Sequence, residues 1–251
     1  MIVRAVAVLL LLLTASVLHA AQTPTITVYA ASDLAFALKD VAAQFEKITG
    51  TKVVLVFGST GNLAKQIEHV APADVFFAAN ENFVDSLVAR GAAIRETRVM
   101  YAQGRIVLAV PKGGGRVPQL QALREPTFKR IGIANPAHAP YGMAAAEALR
   151  AVGIWDDVRP RLVYGENIRQ TLQYLQAGAV DAAIIALSVA AVPEIEWAPI
   201  DSALHRPLNQ AAAVVRRSAR PELALGFLEF VNGVQGRPIM KRYGFLLPGE
   251  F

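Results

Sequence analysis

Groups able to do chemistry concentrate at four points: Ser32-Asp33, Ser59-Thr60-Gly61, Pro140-Tyr141-Gly142 and Glu166-Asn167-Ile168. Each reads as a strand-to-helix junction, where the first backbone amides of a helix have no carbonyl one turn back and lie at the positive end of the helix dipole. Such ends hold an anion through N–H and O–H donors without any lysine or arginine. The competing reading at each junction is a plain helix cap. Ser59 and Thr60 could merely cap, Asp33 could accept bonds from its own helix amides, and Tyr141 could pack beneath the Pro140 loop. What favours a shared anion site is the distribution, two junctions in each half of the chain.

Catalytic signatures are scarce by comparison. The sequence has no G-x-S-x-G elbow, no H-E-x-x-H helix and no G-x-x-x-x-G-K-S/T loop. It has no cysteine, which excludes thiol nucleophiles, zinc-thiolate clusters and disulfides together. After the N-terminal leader the histidines are His69, His138 and His205, with no pair at metal-ligand spacing. His138, in the loop Asn135-Pro-Ala-His-Ala-Pro140, reads as a structural histidine before it reads as a proton donor. Asp156-Asp157, beside Pro160, reads as an exposed turn. The expectation is therefore no enzyme; a secreted acid–base enzyme using His138 with Asp33 or Glu166 is the minority alternative.

The elements that position these groups follow from composition and pattern. With 54% hydrophobic and 18% charged residues, the 251-residue chain can bury a substantial core. Its net charge of +5 is spread without a run of five like charges, which argues against a nucleic-acid partner. Arg4, the apolar run Ala5–Leu13 continuing to Leu18, and the small residues Ala20 and Ala21 form the three-part layout of a secretory signal, residues 1–20, cleaved after Ala20. The run is short for a membrane span of roughly 20 residues. The expected location is the periplasm.

Strand and helix patterns then alternate. Strands are predicted at Ile26–Tyr29, Val53–Phe57, Val75–Ala79, Ile106–Val110, Ile131–Ala134, Ala182–Leu187 and Ala211–Val215. Amphipathic helices run from Leu34 through Phe45 to Gly50, from Leu63 to Val70 before Pro72, and over Phe83–Arg90, Tyr141–Val152, Ile168–Ala177, Glu222–Val231 and Gly236–Tyr243. This predicts an α/β fold with parallel strands and helices on both faces. Gly113-Gly114-Gly115 reads as a hairpin turn. Crossovers near Ala102–Gly104 and Pro207–Gln210 divide the mature chain into two lobes around a cleft: 21–103 with 211–251, and 104–210.

At these residues the sequence resembles a known family. Tyr29-Ala-Ala-Ser-Asp-Leu34, Phe57-Gly-Ser-Thr-Gly-Asn62, Ala71-Pro-Ala-Asp-Val75, Asn135-Pro-Ala-His-Ala-Pro-Tyr-Gly142, Gly165-Glu-Asn-Ile168 and Lys241-Arg-Tyr-Gly-Phe245 look like the periplasmic molybdate-binding component of ABC importers. The match covers essentially the whole mature chain in order and is specific in combination. It implies a two-lobe venus-flytrap fold that closes on a tetrahedral oxyanion, molybdate or tungstate, and delivers it to a membrane permease. It also implies a monomer with no cofactor, the molybdenum oxyanion being held through its oxygens without direct metal ligands.

Carried over, the ligand positions fall on Ser32, Asp33, Thr60 with Ser59 as its neighbour and substitute, Tyr141, and the Ile168 amide. Ala186 stands where some members have a further tyrosine, and Tyr141 can supply that hydroxyl. Asp33 departs from the serine, threonine or asparagine of other members. A carboxylate would repel a dianion that only accepts hydrogen bonds, so the expected arrangement has the Asp33 side chain capping its helix and its backbone N–H facing the anion. A receptor for phosphate or another anion on the same fold is the alternative.

Overall fold

The computed structural model describes residues 23–113 and 117–251. The predicted signal 1–20 and most of the triglycine run lie outside the described residues. Among the described residues no helix is long and apolar enough to cross a membrane.

Two five-stranded sheets form two lobes. The first contains β1 (Thr25–Ala31), β2 (Lys52–Gly58), β3 (Val75–Ala78), β4 (Val99–Gly104) and the late strand β10 (Leu208–Val214), in the order β2-β1-β3-β10-β4. The second contains β5 (Ile106–Pro111), β6 (Ile131–Ala134), β7 (Leu162–Gly165), β8 (Ala182–Ala186) and β9 (Ile195–Pro199), in the order β7-β6-β8-β5-β9. The helices are α1 (Ala37–Thr49), α2 (Thr60–Glu68), α3 (Glu81–Ala89), α4 (Pro140–Ala151), α5 (Trp155–Val158), α6 (Ile168–Gln176), α7 (Pro221–Asn232) and α8 (Gly236–Arg242).

Each sheet keeps a parallel heart, β2-β1-β3 and β7-β6-β8, but β10 runs antiparallel to both β3 and β4, and β5 antiparallel to β8 and β9. The expectation of parallel strands thus holds for the hearts only. β4 and β9 escaped the pattern reading because they are short edge strands with mixed burial. β10 begins at Leu208, three residues before the predicted start. The Asp156-Asp157 pair opens the helical turn α5, with Asp157 on Arg124 at 2.6 Å. α2 ends at Glu68, two residues early, because Val70 turns out of the helix with φ +70°, a rare conformation for a β-branched residue.

Strand alternation sorts the first sheet's side chains onto two faces. Val28 and Phe77 point to one, where Phe45 of α1 and Phe227 of α7 pack, while Tyr29 and Phe76 point to the other, under Leu63 of α2 and Leu87 of α3. Phe227 is fully buried and makes edge-to-face contacts with Phe45 and Phe77, at 5.1 and 5.9 Å between ring centroids. Because α7 belongs to the returning C-terminal segment, this cluster ties the two ends of the chain into one lobe. Phe227→Ala should lower stability by about 3–5 kcal/mol, read as a lower urea midpoint with an unchanged slope. A loss under about 1 kcal/mol would show that the returning segment does not anchor this core.

Candidate functional site

The carboxyl ends of the parallel hearts face one another. β1, β2 and β3 end at Ala31, Gly58 and Ala78, and β6 and β7 at Ala134 and Gly165. All six residues predicted to meet a ligand, Ser32, Asp33, Ser59, Thr60, Tyr141 and Ile168, line a single cavity between these ends. It contains about 200 Å³ of empty space. No lysine, arginine or histidine is among its lining residues. The wider groove on the second lobe, bounded by Leu108, Val117 and Trp197, contains none of the six.

Three helices open at the cavity: α2 after Ser59, α4 after Ala139, and α6 after Asn167. The amides of Thr60, Tyr141 and Ile168 stand in first turns, where no intrahelical acceptor exists. The fourth junction differs from the pattern reading. Ser32–Leu34 is a single 3-10 turn, and α1 starts only at Ala37.

The hydroxyls differ in what their protons do. Ser32 Oγ donates to the Gly58 carbonyl at 3.0 Å, and Tyr141 Oη donates to Asp33 Oδ2 at 2.9 Å. Ser59 Oγ pairs with His138 Nδ1 at 2.8 Å. Thr60 Oγ1 accepts from the Ala79 amide at 3.1 Å, which occupies a lone pair and leaves its proton for another acceptor.

Asp33 does not cap a helix. It lies inside a 3-10 turn whose N-cap is Ala31, near its own and the Leu34 amide; Oδ2 accepts from Tyr141 of the opposite lobe and from Gln210 Nε2 at 2.8 Å. Gln210 is oriented by Tyr101, whose hydroxyl donates to its Oε1 at 2.7 Å. Asp33 Oδ1 is buried without a partner at hydrogen-bond geometry among the described residues. Burial raises the carboxyl pKa from its ordinary 3.8 to about 6, against the opposing pull of Gln210, Tyr141 and the nearby Asp33 and Leu34 amides. Burial, reinforced by the Asp33 charge, also raises Tyr141 and Tyr101.

Sequence reasoning missed Gln210, placed in a crossover, and Tyr101, placed in no element. A fully buried glutamine beside the alanines of β10 is the kind of signal that could have marked it. It also missed the work of His138 on the rim. The His138 carbonyl accepts from the Gly61 amide at 2.9 Å, and its Nε2 lies 3.7 Å from Glu166, which also accepts from Asn62. With Ser188 Oγ donating to the Asp33 carbonyl at 2.8 Å, these bonds join the lobes around the cavity.

Because folded Asp33 holds its proton to higher pH than the unfolded chain does, the folded state binds more protons between about pH 4 and 6, and stability falls as pH rises through that window. The span from 3.8 to about 6 corresponds to about 3 kcal/mol lost once the carboxyl is ionised. Asp33→Asn retains an acceptor for Tyr141 and Gln210. Denaturation midpoints across this window should show the decline in the wild type and its absence in the variant; parallel profiles would remove Asp33 as its source.

Comparison with known proteins places this geometry in a family. Residues 26–246 match the model for bacterial extracellular solute-binding proteins. The chain is 32% identical over 231 residues to molybdate-binding protein ModA of Azotobacter vinelandii, covering 90% of this chain and 91% of that one. It is likewise 32% identical over 233 residues to ModA of Escherichia coli, covering 88% and 89%. The solved structure of the Azotobacter vinelandii periplasmic molybdate-binding protein superimposes with a TM-score of 0.84 at 30% identity, over 89% of this chain and 99% of that one. The chain belongs to the bacterial extracellular solute-binding protein family.

Proposed function

We propose that this protein is a periplasmic receptor that captures molybdate or tungstate between its lobes and delivers it to an ABC permease, acting as a monomer and without catalysis. The observation that carries this reading is the convergence of three helix N-termini from opposite lobes on one buried cavity whose lining has no cationic side chain. Partial positive charges on amides suit a doubly charged, proton-free oxyanion that accepts from every side. The ModA relatives, aligned over about nine-tenths of the chain, support the same ligand class.

In this reading the ligand contacts are the amides around Thr60, Tyr141 and Ile168, the Thr60 hydroxyl, and the turn at Ser32 and Asp33. Thr60 is preferred to Ser59 because its proton has no other acceptor, whereas Ser59 is engaged by His138. The lobes divide near the expected bounds, 21–103 with 211–251 and 104–210, with Gly104 and residues 208–210 lying on the first sheet, and they pivot where the chain passes between the sheets. The anion stabilises the closed arrangement because only there do both donor sets reach it. The acid–base alternative draws little support. Glu166 reaches His138, but Asp33 is engaged by Tyr141 and Gln210 instead.

A thermal-shift panel tests the function. Molybdate and tungstate at about 100 times the dissociation constant should add about 2.7 kcal/mol of stability, with sulfate and phosphate giving little or nothing. Thr60→Ala should weaken molybdate binding by about 1.5–3 kcal/mol, the worth of a hydrogen bond to a charged group, and Ser59→Ala by less. Equal shifts from phosphate would remove the selectivity, and a larger effect at Ser59 would reverse the hydroxyl assignment.

A further inference from the structure

Asp33 is the one acidic group lining the cavity, and resting on the reading above, its geometry raises the question of how an anion enters beside it. With the lobes joined, the side chain is shut off from solvent. It is 1% exposed, and its Oδ2 is held by Tyr141 from α4 and by Gln210 from β10. Oδ2 is thus supplied with two side-chain donors, while Oδ1, equally buried, has no partner at hydrogen-bond geometry and only the Asp33 and Leu34 amides near the group.

The groups packed around Asp33 offer no compensating positive charge. Tyr141 of α4 and Tyr101 of β4 are the titratable neighbours, both held protonated by burial and by the Asp33 charge. Gln210 of β10 is neutral, and Ser188 donates to the Asp33 backbone carbonyl. On α6 the cation Arg169 has its guanidinium over the Phe36 ring at 4.9 Å. His138 faces Ser59 and Glu166. An ionised Asp33 and a dianion in one small cavity would be like charges with no cationic side chain between them, an arrangement that favours protonating one of them.

We propose that Asp33 takes up one proton when the oxyanion is captured, so that a neutral carboxylic acid donates its O–H from Oδ1 to an oxygen of the bound dianion. The proton comes from solvent and forms the Oδ1–H bond; no other covalent bond changes. Oδ1 is the site because Oδ2 already accepts from two donors. The carboxyl group then becomes one of the donors that hold the ligand, and net capture is anion plus proton. In the joined arrangement burial already raises its pKa to about 6, and a dianion beside it raises it further.

Calorimetric titration with sodium molybdate tests this. Measurements between about pH 6.5 and about pH 8.5, repeated in two buffers of different ionisation heat, count the protons exchanged. The wild type should take up about one proton per anion near the upper limit, and its dissociation constant should rise about tenfold per pH unit there. In Asp33→Asn the amide N–H replaces the acid O–H. Uptake should vanish, and the variant's affinity should overtake that of the wild type as pH rises.

Wild-type binding with no proton uptake and a flat pH profile would overturn the proposal while leaving the molybdate reading intact. Tighter binding of inorganic phosphate than of molybdate, without uptake, would also overturn it, since Asp33 would then be accepting the ligand's own proton. Absence of molybdate binding at every pH would overturn both the receptor reading and this one. The wild-type proton count decides even if the variant fails to fold.

Discussion

The constraint on which this structure turns is the meeting of like-signed helix ends. α2 arrives from one lobe, α4 and α6 from the other, and all three bring the amide end of the dipole to one small cavity of about 200 Å³. In bulk water such partial charges would be screened. In a closed cavity they act at short range and low dielectric, and a negative group among them is strongly favoured. Asp33 belongs to this field: its carboxylate sits among the donors, and its proton affinity is set by the balance between burial and those donors.

Much of the remaining fold arranges that meeting. The parallel hearts of the sheets aim their carboxyl ends at one another, which is where open α/β sheets present ligand sites. The antiparallel return of β10 then carries Gln210 to the seam, within reach of Asp33, Tyr141 and Tyr101. Two glycines let the seam close. A Cβ on Gly61 would stand 2.9 Å from the His138 carbonyl oxygen, and one on Gly104 would collide with the Tyr141 hydroxyl and the Gln210 amide. At both places backbone comes directly against a polar group of the other lobe, His138 or Tyr141, and at Gly104 also against Gln210 of its own sheet, and only a residue without a side chain permits it.

Much of this was legible in the sequence because it is written locally. Apolar periodicity places helices from Leu63, Tyr141 and Ile168, which begin at Thr60, Pro140 and Ile168, and short β-branched or alanine runs place the buried strands at Val75, Ile131 and Ala182. What could not be read was pairing between distant residues. The orientation of β10 depends on strands more than a hundred residues earlier. The Asp33 side chain was expected to cap its helix, but the chain makes a 3-10 turn there and the carboxylate finds Tyr141 and Gln210, 108 and 177 residues away. His138 looked like a loop histidine because Ser59, its partner, is 79 residues distant. Local rules identify which groups have unused bonding capacity; only the folded chain decides which of them meet.

The central claim is that converging amides and hydroxyls, with no cationic side chain, hold a tetrahedral oxyanion between the lobes. Crystals grown with tungstate offer the most direct check, because anomalous scattering locates the metal independently of any assumption about the site. The account predicts a single strong peak in the cavity, with tungstate oxygens at hydrogen-bond distance from the Thr60 hydroxyl and from the amides of Tyr141 and Ile168. A peak coordinated instead by surface arginines or lysines, with the cavity between Thr60 and Ile168 free of tungsten, would contradict it.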